Sequence, residues 1–306
     1  MMHSEKLNDL LQKTSRTFAL TIPLLPEPTR HEVGVAYLLF RIIDCFEDAT
    51  QWPPEKRVEA LVEFVRLLED DTVRTLDITE AVAGWVREPP LDHPGYQELI
   101  SLTPRVREWH RELRAEARQQ IERHLVHTAY GMAAFVSRTN GAGALRLDTL
   151  EELREYCYVV AGIVGQLLTE LYLLGCPQLE RVAPDLRELA LRFGEGLQLV
   201  NILKDAQPDA AAGRVYLPHE VTLDEVFDVA REDLVAALEY TELLRTADAD
   251  FGVVAFNAMN ARLALATLRV LRDRGLGSKL TRLQLSGLAA EVMDSIRAGS
   301  SLVPEA

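Results

Sequence analysis

The chain has 306 residues, 48% of them hydrophobic, with 33 basic and 47 acidic side chains and a formal net charge of −14. A substantial core can be buried, as one large domain or two small ones, and the acidic balance argues against a nucleic-acid surface. Cys45, Cys157 and Cys176 are odd in number and form no C-x-x-C pair, which fits buried thiols in a reducing compartment rather than disulfides or zinc.

Met1 to Lys6 is polar with no apolar segment behind it, so no signal peptide is expected. No apolar run approaches the roughly 20 residues of a membrane span, and the chain closes on Leu302-Val303-Pro304-Glu305-Ala306. The expectation is a soluble, cytoplasmic protein without an integral membrane segment. A short amphipathic helix precedes Ser15-Arg16-Thr17-Phe18, where Ser15 suits an N-cap. Pro23, Pro26 and Pro28 then break the chain.

From Tyr37 to Asp48 nothing interrupts a helix. Tyr37, Arg41, Asp44 and Asp48 are spaced 4, 3 and 4 apart, one stripe on a helix otherwise filled by Leu38, Leu39, Phe40, Ile42 and Ile43. A helix apolar nearly all round is buried, so the stripe is expected to face an internal cavity. The competing reading is a solvated acidic face with Arg41 as an intrahelical ion pair.

Trp52-Pro53-Pro54 ends that region. Glu55 to Asp70 reads as an amphipathic surface helix, and Glu88 to Gly95, with three prolines, as a loop. Pro104 opens a helical run expected to reach about Arg138. Its early charges, Arg105 through Glu116, read as a solvated face, and its end, Thr128 to Phe135, as a cavity lining. His124 and His127 lack a third ligand and read as surface histidines. Thr139 to Gly143 is a loop before a helix over Leu150 to Gly175, where Ala161, Gly162 and Gly165 allow close helix approach. The alternative is that they leave room for a ligand chain beside Tyr156.

A second stripe follows. Gln198, Asn201, Asp205 and Asp209 are spaced 3, 4 and 4 apart, among Leu197, Leu199, Val200, Ile202 and Leu203. Inward carboxylates on facing helices are how helical bundles build metal sites. With no His or Cys at ligand spacing, an all-oxygen set favours Mg²⁺ or Mn²⁺, held by a few carboxylates plus substrate phosphates. The two stripes therefore imply a diphosphate site with bridging metals, and are silent on what the phosphate carries.

Ser15-Arg16-Thr17-Phe18, Tyr37 to Asp48, Tyr156-Cys157-Tyr158-Val159-Val160-Ala161-Gly162, and Asn201 to Pro218 with Gly213-Arg214-Val215-Tyr216-Leu217-Pro218 together resemble the squalene/phytoene synthase family, the head-to-head trans-prenyl synthases. The resemblance implies that Arg16, Arg41, Lys204 and Arg214 bind diphosphate, alongside Tyr37, Gln198 and Asn201. It implies that Asp44, Asp48, Asp205 and Asp209 hold metal, and that Tyr156 acts in the first reaction step. Departures stand beside it. Tyr158 sits where His is common, and Val159 replaces an aromatic. Lys204 and Pro208 replace the Arg and Glu of the second acidic motif. Proline biases Gln207 away from helical angles, so the helix is expected to end near Ala206 and leave Asp209 on a loop. Ala210 to Arg214 reads as a small-residue loop, followed by two further helices. Arg272 to Lys279 reads as an ordinary helix–helix turn.

The fold implied is all-α, a single domain over residues 1–306 forming a helical bundle around a central cavity, as in isoprenoid synthases. The activity implied is Mg²⁺-dependent head-to-head condensation of two farnesyl diphosphates to a thirty-carbon product, with NADPH use open and a monomer or homodimer expected. A phytoene-type reaction on geranylgeranyl diphosphate stays open, as does prenyl transfer to a non-isoprenoid acceptor. So does a non-catalytic protein that only binds prenyl diphosphates. Peripheral membrane contact is compatible with a greasy product.

Overall fold

In this computed structural model, which describes residues 2–15, 17–70, 72, 74–139 and 145–303, helices carry almost all of the described chain. Arg16 and residues 140–143 of the expected loop lie outside the described residues, as do the last three. The chain divides into two compact units, Met1–Ile22 with Glu27–Gly143, and Pro23–Pro26 with Ala144–Ala306.

The first unit holds α1 (Met2–Thr14), α2 (Phe18–Thr21), α3 (Thr29–Glu47), α4 (Pro54–Glu69), α5 (Thr75–Arg87), α6 (Pro94–Ser101), α7 (Thr103–Glu112) and α8 (Ala115–Ser137). Ser15 caps the start of α2, its Oγ accepting from the Phe18 amide at 3.0 Å. α3 is the centre of the unit, with α1, α4, α6, α7 and α8 packed around it. Its Leu38, Leu39, Ile42, Ile43 and Phe46 are fully buried, each contributing about 1.5–3 kcal/mol of apolar burial. Phe46 sits among Trp52, Phe64 and Trp85, with the Trp85 ring centroid 4.7 Å away. Lys6 and Lys13 clamp Glu98 at 2.6 and 2.8 Å and tie α1 to α6.

The single helix expected from Pro104 to Arg138 is two. Leu113 and Arg114 are extended, and Arg114 turns its guanidinium onto the buried Glu32 of α3 in a two-pronged pair, one arm at 2.9 Å. That pair exists only if the chain breaks there. Nor is the charged face wholly solvated. Arg107 is buried and donates to the carbonyls of Leu67 and Asp70. His124, expected at the surface, is buried against the Gln120 carbonyl at 2.7 Å, whereas His127 is exposed.

The second unit holds β1 (Leu145–Arg146), α9 (Leu150–Cys157), a π-helical turn (Tyr158–Gly162), α10 (Ile163–Gly175), α11 (Ala183–Ala211), β2 (Arg214–Val215), α12 (Leu223–Thr246), α13 (Phe251–Arg274) and α14 (Arg282–Arg297). Three helices, not two, thus follow Pro218. α11 is the axis, flanked by α9, the π turn, α10, α12 and α13. Glycines let it come close. A Cβ on Gly165 would lie 2.1 Å from the Ala190 carbonyl oxygen, and one on Gly194 would lie 2.1 Å from that of Ala161. The small residues around Ala161 therefore serve helix contact. β1 and β2 pair in parallel, Leu145 with Arg214 and Arg146 with Val215. Arg272 to Lys279 is the expected turn, with Gly275 and Gly277 at positive φ and Arg272 paired with Asp228 at 3.1 Å.

Contrary to the expectation that no apolar run approaches a membrane span, Leu150–Gly175 and Phe251–Arg274 have the length and apolarity of membrane-crossing helices; 50% and 72% of their most apolar stretches are buried inside the protein. Burial on that scale is what a core helix of a globular unit requires.

Candidate functional site

α3 carries the first stripe. From Glu32 to Ala49 every residue is buried except Tyr37, Arg41, Asp44 and Asp48. The polar stripe is thus the one face of this helix open to solvent or ligand. Tyr37 donates to the Thr14 carbonyl at 2.9 Å, and the Arg41 Nε donates to the Tyr37 hydroxyl at 3.3 Å. The guanidinium lies 5.6 Å from the Tyr37 ring centre and 5.7 Å from that of Tyr96 on α6. Two aromatic faces so placed stabilise the cation. Nη1 of Arg41 reaches Asp44 at 3.2 Å. Tyr96 escaped the sequence analysis, since nothing in its local sequence marks a residue that completes a site on another helix.

Asp44 keeps 30% of its side chain exposed. Burial pushes its carboxyl up to about 6, with Arg41 pulling it back and Asp48 pushing it further. Arg41 therefore only partly compensates the charge, and a second cation would complete the job. Asp48 caps α3, its amide donating to the Asp44 carbonyl at 2.8 Å, so the two carboxylates stand one turn apart.

α11 carries the second stripe. Gln198, Asp205 and Asp209 are half-buried and Asn201 is exposed, while Leu199, Val200, Ile202 and Leu203 point into the core. Lys204 donates to Asn201 at 2.8 Å and pairs with Asp205 at 3.2 Å. Contrary to expectation, α11 does not stop near Ala206. It runs through Pro208 to Ala211. Proline removes a single backbone bond, and in a last turn open to solvent the orphaned carbonyl can bond water instead. Beyond it the Ala212 amide closes on the Pro208 and Asp209 carbonyls, and Gly213, at φ 81°, turns the chain into β2. Arg214 is therefore on a short strand rather than in a loop, and it pairs with Asp209 at 2.7 Å.

Tyr156, at the end of α9, is buried. Its hydroxyl donates to that of Tyr216 at 3.0 Å, and the rings stack with centroids 4.7 Å apart. Behind it lies an ionic cluster the sequence analysis did not find. Glu195 and Asp233 share Arg154 at 2.9 and 3.4 Å, and Arg192 reaches Asp233 at 2.8 Å. Burial raises the Glu195 carboxyl to about 7. The signal was present in Gly194-Glu195-Gly196, an acid between two glycines in an apolar run.

The donors fit an oxygen-ligated divalent cation. Each unit offers a carboxylate pair in helical register, and among the described residues no group of three or more His, Cys, Asp or Glu side chains could hold a metal ion by itself. Such open pairs suit Mg²⁺, which keeps waters and takes up phosphate oxygens.

The squalene/phytoene synthase family model matches residues 11–249. The chain belongs to the squalene/phytoene synthase family. Among its relatives in that family, the squalene synthase of Eremothecium gossypii is 32% identical over 227 residues, covering 72% of this chain and 47% of that protein. The squalene synthase of Schizosaccharomyces pombe is 29% identical over 216 residues, covering 69% of this chain and 43% of that protein. The chain thus spans about half the length of the curated relatives it matches. A solved structure of TcSQS with the ligand BPH1237 superposes with a TM-score of 0.75 at 25% identity, covering 97% of this chain and 86% of that one. The all-α fold is that of this family.

Proposed function

We propose that the protein is a prenyltransferase that condenses two allylic prenyl diphosphates head to head, with farnesyl diphosphate as the substrate and a thirty-carbon product. The observation that carries this reading is α3, buried on all sides save for a Tyr–Arg–Asp–Asp stripe, matched in kind by the Asp205–Asp209 pair of α11.

Asp44 and Asp48 in one unit, and Asp205 and Asp209 in the other, would hold magnesium ions. When bound, these supply charge neutralisation for a departing diphosphate. Arg41 in the first unit, and Lys204 and Arg214 in the second, add fixed positive charge for diphosphate oxygens, and Arg16 is assigned with them from the resemblance alone. Departure leaves an allylic cation, which the double bond of the second substrate attacks. Loss of a proton then closes a cyclopropane, and Tyr156 is the side chain assigned to move that proton.

The test is incubation with farnesyl diphosphate and Mg²⁺, with and without NADPH, followed by mass spectrometry of hexane-extractable products. A coupled thirty-carbon product supports the reading, and the NADPH arm identifies any reduction to squalene. Diphosphate released without a coupled product would exclude a protein that only binds prenyl diphosphates, and a coupled product would sink prenyl transfer to a non-isoprenoid acceptor. Lys204 and Val159 motivate that second reading; Pro208 does not, because Asp209 stays on its helix.

A further inference from the structure

We infer that Tyr216 is the second member of a two-phenol proton relay, taking the proton that Tyr156 releases and passing it to the diphosphate at the Arg214 end of α11. This rests on the head-to-head reading given above. Tyr156 and Tyr216 are both buried, 3% and 6% exposed, and lie sixty residues apart in the chain. A buried phenol requires a partner for its O–H. Here the Tyr156 hydroxyl donates to the Tyr216 oxygen at 3.0 Å, and stacking at 4.7 Å with 25° between the ring planes keeps the two hydroxyls in register.

The chemistry needs such a partner. A neutral phenol that accepts a proton from carbon becomes an oxonium unless it gives up its own proton in the same step. The donor direction seen here supplies the exit. The C–H electron pair of the cationic intermediate forms the third carbon–carbon bond of the ring, and its proton goes to the Tyr156 oxygen. The Tyr156 proton moves to Tyr216, and the Tyr216 proton moves to an oxygen of the released diphosphate, the strongest base formed in the reaction. Both phenols end neutral, and no external base or oxidant is consumed.

Position supports the last transfer. Tyr216 directly follows β2, whose Arg214 pairs with Asp209 at 2.7 Å. Along an extended segment residues two apart share a side, which puts the Tyr216 ring on the side that carries the Arg214 guanidinium. Pairing of β2 with β1, through Leu145 and Leu147 amides at 3.1 Å, holds that segment in place.

The experiment compares wild type, Tyr156→Phe, Tyr216→Phe, Tyr216→Leu and the Phe double variant in single turnover and in steady state with farnesyl diphosphate and Mg²⁺. Coupled product, diphosphate release and melting temperature are each measured. Removing the Tyr216 hydroxyl is expected to slow coupling about ten-fold or more, with KM within about two-fold and unchanged melting, because the loss falls on proton transfer alone. Tyr216→Leu should be no slower than Tyr216→Phe, and the double variant no slower than Tyr156→Phe, since residues of one relay act as a unit. Tyr216→Phe at the wild-type rate, with Tyr216→Leu slow, would reduce Tyr216 to packing and overturn the relay while leaving the coupling reading standing. Multiplicative losses in the double variant would overturn it too. A wild type that makes no coupled product would instead remove the reading on which the relay rests.

Discussion

Asp209 accepts a hydrogen bond from the Arg214 guanidinium at 2.7 Å, five residues on, although Pro208 stands immediately before it. α11 is thus continuous through the proline and is tied at its end by an ion pair that reaches onto β2. The cost of Pro208 is one missing amide donor to the Lys204 carbonyl. An interior proline costs about 3 kcal/mol, less where the freed carbonyl meets water. Pro208→Ala is therefore expected to raise stability by about 1–3 kcal/mol, read as a higher urea midpoint, with substrate binding unchanged. A lower midpoint would show that the proline's fixed φ, not the ion pair, sets the end of this helix.

The stripe on α3 trades stability for charge. Because burial holds the Asp44 carboxyl up at about 6 despite Arg41 at 3.2 Å, its ionised form is net unfavourable in the folded unit. Asp44→Asn keeps the shape and removes that charge. The variant is expected to melt at or above the wild-type temperature at pH 7.5, while coupling falls about a hundred-fold or more through lost transition-state charge stabilisation. Calorimetry and product assay together decide it, and full activity with unchanged melting would remove Asp44 from the site.

What the sequence disclosed divides along physical lines. The α3 stripe was legible because burial has helical period: four polar residues in an apolar helix have to share a face, and the burial pattern has them do so. Asp209 was misplaced because an interior proline is a strong local signal, which an ion pair five residues on and an open last turn override. The break at Leu113 and Arg114 carried no glycine or proline to announce it. It follows from Arg114 meeting the buried Glu32, a contact 82 residues away. Tyr96, Asp233 and the Tyr156–Tyr216 pair were hidden for the same reason, each being a contact between separate helices or strands.

Glycine contacts in the second unit give a sharper test of packing. A methyl group on Gly194 would lie 2.1 Å from the Ala161 carbonyl oxygen and 2.6 Å from its carbon, so backbone has to move. Gly194→Ala is expected to cost about 2–3 kcal/mol, a fall of about 5 °C or more in melting temperature. A methyl group on Gly84 in α5 would meet nothing within 4 Å. Gly84→Ala should therefore stabilise by about 0.5–1 kcal/mol through helix propensity and a less flexible unfolded chain. Equal effects at the two sites would mean that the π turn and α11 are not held at this separation.

Glu195 makes the pH dependence of folding predictable in sign. Burial raises its carboxyl to about 7, opposed by Arg154, reinforced by Asp233 and opposed again by Arg192. In the unfolded chain the group titrates near the ordinary glutamate value of about 4.3. Between these values the folded protein holds a proton that the unfolded chain has lost, so stability from this group is full below about pH 4.3 and is lost as pH rises through 7. Glu195→Gln removes the titration and leaves Arg154 free to hydrate, since that side chain is 38% exposed. Urea midpoints at pH 5 and pH 8 should therefore differ by less in the variant, by on the order of 2 kcal/mol. Identical slopes in the two proteins would mean that Arg154 and Arg192 keep Glu195 ionised throughout, and that the cluster is a neutral-pH ion network rather than a protonated acid beside Cys157 and Asp233.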